Sequence, residues 1–300
     1  YAYVADYESG LAIIDITDKA NPGDPVYMNT SGSAMGVTVV GNYAYVADGS
    51  DGLAIINITD KANPGDPVYM NTNGYAMSVT VVGNYAYVAD RSDGLAIIDI
   101  TDKDNPGDPV YMNTSGDAYD VTVVGNYAYV ADESSGLAII DITDKANPGD
   151  PVYMDTNPDS SLPLFARGSA LGVTVVGNYA YVADAGKGLA IIDITDKANP
   201  GDPDYMNTNG SALGVTVVGN YAYVADYTSG LAVIPLNTAL IQDGAGNNAT
   251  LTLASPGATN SLGANKALVI DNIVSTVTGV SSTKADGSYK SGDQIPITVA

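Results

Sequence analysis

The chain repeats itself every 42 residues, and that period bounds its fold more tightly than any single motif. Gly-Leu-Ala recurs at Gly10, Gly52, Gly94, Gly136, Gly188 and Gly230, with spacings of 42, 42, 42, 52 and 42. One unit, Val37 to Thr72, reads VTVVGNYAYVADGSDGLAIINITDKANPGDPVYMNT, and its copies are nearly identical, which implies recent internal duplication or design. Gly-Asn, Asp-x-x-x-Gly and Asn-Pro-Gly-Asp-Pro segments divide each unit into four apolar runs, hence four strands joined by three turns. Val37 to Val40, Tyr43 to Ala47 and Leu53 to Ile58 are apolar nearly throughout, so these strands are buried on both faces. Val68 to Thr72 is more polar and suits a rim. Four-stranded sheets stacked radially about an axis meet both demands, so the chain is expected to be an all-β propeller.

The charge agrees with a turn-rich β fold. Net charge is −23, and of 34 acidic residues only Glu8 and Glu133 are glutamate. Asp beside 33 Gly and 15 Pro is the chemistry of tight turns. A surface this negative repels phosphate backbones and anionic lipid, so neither nucleic acid nor a membrane surface is expected as a partner. No apolar run approaches the roughly 18 residues of a membrane span, which argues against direct membrane insertion. Cysteine is absent, which excludes disulfides and thiolate metal sites and leaves the compartment open.

GLAIIDIT followed by DKANP, after YAYVAD, resembles the LVIVD-repeat propellers of bacterial and archaeal surface or secreted proteins. The resemblance spans Tyr1 to about Leu236 in six copies. It implies a propeller fold and an extracytoplasmic, prokaryotic cell-surface setting, with no defined reaction.

With strands named A to D from the axis outward, residues 1–30 supply B, C and D of a first blade and four complete blades follow. The sixth supplies A, B and C before Pro235 and Leu236 break the repeat. Three strands plus three exceed one blade, so simple closure fails: either a first A strand lies upstream and something later caps the sixth blade, or whole blades precede Tyr1. The count allows six or seven four-stranded blades, and an open ring would expose two blade edges. The expected domains are therefore residues 1–236, the propeller, and 237–300, where Ala, Ser, Thr, Asn and Gly take over. Within the latter, Asp243 to Leu253 and Ser261 to Asp271 look like the last strands of bacterial immunoglobulin-like modules, and Ser275 to Ala300 resembles the opening of the next. Both chain ends look cut, so covalent continuity with upstream and downstream modules is expected.

Antiparallel strands place the B-to-C and D-to-A connections on one face of the disc and the A-to-B and C-to-D connections on the other. GNYAYV and TDKANPGDP hardly change on the second face. On the first, the B-to-C loops read YES, GSD, RSD, ESS, AGK and YTS, and the D-to-A loops carry Met35, Tyr75, Tyr119, Leu171 and Leu213. Such variation is what a ligand-reading face requires, and also what a loop free to drift would show. The 52-residue spacing comes from an insertion at Asn157 to Gly168 on this face, with Phe165 and Arg167. Arg91 and Lys187 lie in its B-to-C loops. Aromatic and Arg side chains are enriched at contact hot spots, so Phe165, Arg167, Arg91, Tyr75, Tyr119 and Lys187 are the expected ligand contacts. A loop folded over the channel mouth is the bland alternative for the insertion.

Asp6, Asp48, Asp90, Asp132, Asp184 and Asp226 end the B strands and would ring this face. Carboxylates are the usual protein donors to calcium, the one metal the sequence suggests, but Asp opening a short hairpin more often bonds its own backbone. Asp15, Asp99, Asp141 and Asp193 read as mid-strand, and DITDKANPGD as a solvated turn. No other cofactor is expected. Without His or Cys, neither a Ser-His-Asp nor a Cys-His arrangement can form. Identical Asp residues in every blade also fail to supply the two different environments an acid and a base need. The reading is a non-catalytic extracytoplasmic binding or adhesion module that contacts extracellular protein or glycan through its variable face. The alternatives are a structural spacer in a large surface protein and, third, a carbohydrate-active hydrolase.

Overall fold

A computed structural model describes residues 1–156, 168–236, 281–282 and 297–298. The chain divides into two compact units, Tyr1–Asn237 and Thr238–Ala300. In the second unit the described residues form one short antiparallel pair, Ser281–Ser282 with Ile297–Thr298. The remainder of the expected immunoglobulin-like segments lies outside the described residues, as do Phe165 and Arg167. No helix among the described residues is long and apolar enough to cross a membrane.

The first unit is a β-propeller of six consecutive antiparallel sheets. Blade 1 has strands B, C and D at Ala2–Ala5, Leu11–Ile14 and Val26–Met28. Blade 2 is complete, with A to D at Gly36–Val40, Tyr43–Ala47, Leu53–Asn57 and Val68–Met70. Blade 3 (Ser78–Val82, Tyr85–Ala89, Leu95–Asp99, Val110–Met112) and blade 4 (Asp120–Val124, Tyr127–Ala131, Leu137–Asp141, Val152–Met154) repeat it. Blade 5 is Ala170–Val176, Tyr179–Asp184, Gly188–Asp193 and Asp204–Met206, with a bulge between Ala170 and Gly172. Blade 6 has A, B and C at Gly214–Val218, Tyr221–Ala225 and Leu231–Pro235.

Alternation along each strand gives every blade two unlike faces. The trailing face carries large side chains, such as Tyr45, Leu53 and Ile55 of blade 2; the leading face of the next blade meets them with small ones, Ala76, Ala86, Val88 and Ala96. The same pairing recurs at all five blade junctions, from Leu11 and Ile13 against Ala44, Val46 and Ala54 to Tyr181 and Leu189 against Ala222 and Val224. Each fully buried Leu or Ile contributes about 1.5–3 kcal/mol, so the junctions hold most of the stability.

Polar bonds fix how the blades sit. Near the axis, the hydroxyls of Thr38, Thr80, Thr122 and Thr174 donate to the carbonyls of Val79, Val121, Val173 and Val215 on the next A strand. On the second face, Lys61, Lys103, Lys145 and Lys197 lie 5.2–5.3 Å from the ring centroids of Tyr1, Tyr43, Tyr85 and Tyr127 in the preceding blade. At the rim, Tyr69, Tyr111 and Tyr153 accept backbone N–H bonds from Ser31, Asn73 and Ser115 of the preceding connection.

The second face is built from Asx turns. Asp15, Asp99, Asp141 and Asp193 stand at or just beyond the end of strand C rather than mid-strand, because each Oδ1 accepts the N–H two residues on (2.8 Å) and closes a turn that ends the ladder. Asn57 does the same in blade 2 at 2.9 Å. Bonds from Thr17, Thr101, Thr143 and Thr195 lower the pKa of these four carboxylates. Between that lowered value and the unfolded value near 3.9, the unfolded chain binds more protons. Their stabilisation is therefore complete above about pH 4 and is lost as pH falls through the folded pKa. Replacing Asp99, Asp141 and Asp193 by Asn, as blade 2 already has, is expected to leave the urea midpoint at pH 7 nearly unchanged. Its fall between about pH 5 and pH 3 should become shallower, which urea titrations at several pH values will measure.

Candidate functional site

The first face is organised by a buried carboxylate at each blade junction. Asp48 ends strand B of blade 2; its Oδ1 accepts the Thr30 hydroxyl at 2.5 Å and its Oδ2 the Gly32 N–H at 2.9 Å, both from the connection arriving from blade 1. Asp90 holds Thr72 and Gly74 in the same way, Asp132 holds Thr114 and Gly116, and Asp226 holds Thr208 and Gly210. In blade 5 the N–H groups of Ser169, Gly186 and Lys187 converge on Oδ1 of Asp184.

These residues therefore correct the expected ring of surface carboxylates. Asp48, Asp90, Asp132, Asp184 and Asp226 are buried beneath the connections, and Asp6 alone of the series is exposed. Their side chains tie neighbouring repeats together, and Asp184 also accepts from its own hairpin at Gly186 and Lys187. Burial raises the pKa of Asp90, Asp132 and Asp184, with the hydrogen bonds opposing it. Among the described residues no group of three or more metal-ligating side chains stands together.

Bound in this way, each connection runs alongside the B-to-C loop of its own blade. Tyr7, Gly49, Arg91 and Glu133 pair as isolated bridges with Ala34, Ala76, Ala118 and Ala170. The loop position they share is left-handed: φ is 48° at Tyr7, 58° at Gly49, 45° at Arg91, 44° at Glu133 and 40° at Tyr227. Such φ values cost a non-glycine residue roughly 1 kcal/mol. At Gly49 glycine has a second reason, since a Cβ there would lie 2.8 Å from Cζ of Tyr75.

Counted from the buried alanines, Tyr75 occupies the position of Ser33, Asp117, Ser169 and Ser211, while Met77 matches Met35, Tyr119, Leu171 and Leu213. Tyr75 thus belongs to a different column from the one read in the sequence. The two columns meet at the blade 3–4 junction. Arg91 Nε and Nη2 both approach Asp117 Oδ2, at 3.2 and 3.1 Å, and Nη2 donates to Tyr119 Oη at 3.3 Å. The guanidinium lies 5.5 Å from the Tyr119 ring centroid. Beneath, Asp120 Oδ1 accepts the Ser78 hydroxyl at 2.7 Å and Oδ2 the Val173 N–H at 2.9 Å, joining the A strands of blades 3, 4 and 5. Burial raises the Asp120 pKa, against these bonds. On the other side, the Tyr75 hydroxyl lies 4.0 Å from Met35 Sδ.

Of the expected contacts, Arg91 and Tyr119 are brought together and Tyr75 stands one junction away. Lys187 belongs to the blade 5 loop, where its backbone N–H bonds Asp184. Asp117 and Ser78 were missed; each departs from its repeat column, a signal that appears only once the columns are in register.

The family profile described as LVIVD repeat matches residues 1–29, 31–71, 73–114, 115–156, 167–206 and 209–235. No curated protein matches the sequence. Among solved structures, the chain is similar to the Cps50 (Swd1) β-propeller domain of Myceliophteria thermophila, at 13% identity and a TM-score of 0.50, over 65% of this chain and 64% of that one. It thus spans a little under two thirds of that neighbour. The computationally designed Ika4 protein matches at 8% identity and a TM-score of 0.44, over 56% of this chain and 94% of that one.

Two outcomes test this arrangement. Asp90→Ala leaves the buried Thr72 hydroxyl and Gly74 N–H without an acceptor and should cost about 1–3 kcal/mol in urea unfolding, equally in EDTA and in calcium. Gly49→Ala should destabilise the wild type by about 1–2 kcal/mol and the Tyr75→Ser protein by less. Equal losses in a double-mutant cycle would show that the ring does not depend on the missing Cβ.

Proposed function

Because the chain belongs to the LVIVD-repeat family, we propose that it is a non-catalytic binding module that works outside the cytoplasm and contacts extracellular protein or glycan through its first face. A repeat propeller suits binding or scaffolding, since rigid sheets hold loops at fixed positions about an axis. The observation that carries the reading is where the repeats differ. In a chain of near-copies, Tyr75, Arg91, Asp117, Tyr119, Ser78 and Asp120 depart from their columns and cluster at the two junctions flanking blade 3, beside further departures at Tyr7, Glu133, Lys187 and Tyr227 in the other B-to-C loops.

The chemistry of the patch fits recognition better than turnover. Tyr rings offer flat apolar area at little entropic cost, and Arg91 with Asp117 offers donors and acceptors to hydroxyls or amides. The half-exposed pair itself adds only about 0–1 kcal/mol to stability. No His or Cys is available as nucleophile or base, and Asp120, a carboxylate that stands where the other repeats have Gly or Ser, has both oxygens occupied by protein donors. The strong negative charge suits a saline setting.

The test is a screen of the purified chain against arrayed glycans and extracellular-matrix proteins. Binding is expected, and Arg91→Ala and Tyr119→Ala should each weaken it about tenfold or more, near 1.4 kcal/mol. Asp104→Ala on the opposite face, where the other repeats carry Ala, should leave affinity unchanged. Binding that survives both first-face substitutions would remove this patch as the contact.

A further inference from the structure

Four Asn-x-Ser/Thr sequences stand among the described residues: Asn29-Thr30-Ser31, Asn57-Ile58-Thr59, Asn113-Thr114-Ser115 and Asn209-Gly210-Ser211. With x other than Pro, this is the acceptor pattern for an N-linked saccharide, and it can serve only where the amide stands at the surface. All four asparagines are exposed, so exposure does not separate them. The hydrogen bonds around them do.

At three of the four, the residues after Asn are committed elsewhere. Ser31 and Ser115 give their N–H groups to the hydroxyls of Tyr69 and Tyr153, both at 2.9 Å, and Thr30 and Thr114 are buried with their hydroxyls on Asp48 and Asp132. Gly210 gives its N–H to Asp226. At Asn57 the N–H two residues on returns to the asparagine itself, Thr59 donating to Asn57 Oδ1 at 2.9 Å. Only the oxygen of an amide accepts an N–H, so this bond fixes the turn of the side chain and directs Nδ2 away from the backbone. The Thr59 hydroxyl is uncommitted as well: Thr17 in blade 1 donates to the Asp15 carboxylate at 2.6 Å, and Thr59 makes no such bond to Asn57. Asn57 is also where blade 2 departs from its column, which otherwise holds Asp15, Asp99, Asp141, Asp193 and Pro235. Of the five turns that continue Ile-Thr, this one alone carries an amide nitrogen.

We propose that Asn57 is a glycosylation site and carries an N-linked saccharide on the second face, opposite the variable loops. The proposal rests on the extracytoplasmic setting argued above, because that is where lipid-linked saccharide donors are used. The donor is a saccharyl pyrophosphate of that class, transferred by a separate enzyme. The Nδ2–C1 bond forms as the C1–O bond to the donor phosphate breaks; Nδ2 gives up one proton and the lipid pyrophosphate leaves. A bulky, hydrated saccharide at this point covers part of the constant face and leaves the first face open to contact.

The test takes the chain and its variants from the protein's own cells, separates cytoplasmic from exported material, and maps each by peptide mass spectrometry. Exported wild type should carry saccharide mass at Asn57 and at least tenfold less at Asn29, Asn113 and Asn209. Asn57→Asp, which restores the residue of the other repeats, and Thr59→Ala should each abolish it, whereas Thr59→Ser should retain it. Circular dichroism should be the same for all, since both positions are exposed. Asp99→Asn, which copies the Asn-Ile-Thr turn into blade 3, should add a second saccharide in that turn. An exported chain that is bare at Asn57, or modified equally at Asn29 and Asn113, overturns the proposal and leaves the first-face reading standing. A chain confined to the cytoplasm overturns the extracytoplasmic setting and the proposal together.

Discussion

A four-stranded sheet that is apolar on both faces has no stable existence alone, and the architecture follows from that constraint. Burying both faces requires a neighbour on each side, and the large-on-small pairing of Tyr45, Leu53 and Ile55 with Ala86, Val88 and Ala96 makes one repeat sequence complementary to itself. Stacking such repeats produces a radial array because each sheet is twisted and its inner strand lies close to the axis. The outer D strand is only three residues long and half-buried, so the array ends at a polar rim.

Apolar packing sets the distance between blades but not their orientation, which falls to the buried carboxylates. A carboxylate taken out of water is costly unless it is hydrogen-bonded, and a Thr hydroxyl with a Gly N–H satisfies it at one geometry only. The glycine is required there as well: a Cβ at Gly74 would lie 2.1 Å from the Asp90 carbonyl oxygen. Locking each connection against the B-to-C loop then forces two variable loops from different parts of the repeat into contact. The same staple that holds the repeats together thereby creates the surface on which they differ.

The repeat, the four strands per unit and the division into a constant and a variable face were legible in the sequence, because each rests on periodicity within one unit. What was not legible lies between units. Asp48 bonds a threonine 18 residues earlier, in the preceding connection, so a reading of its own hairpin finds only a turn residue. Asp120 reaches Val173 across the insertion, a contact that no spacing announces. Tyr75 was placed in the wrong column because one aromatic near another looks equivalent until the bridge from Gly49 to Ala76 fixes the register.

Near-identical repeats also make backbone strain informative. Gly49 shows that glycine fits the left-handed loop position, yet Tyr7, Arg91, Glu133 and Tyr227 hold it at φ of 40° to 48°. Each gives up roughly 1 kcal/mol that glycine would return in part. Drift alone would place such substitutions equally at the other left-handed positions, such as the glycines that open the A-to-B turns, yet those remain glycine in all five copies at φ near 60°. Side chains held against the backbone preference, on the face that varies, fit the contact surface proposed above. At Arg91 the strain positions a guanidinium between Asp117 and Tyr119.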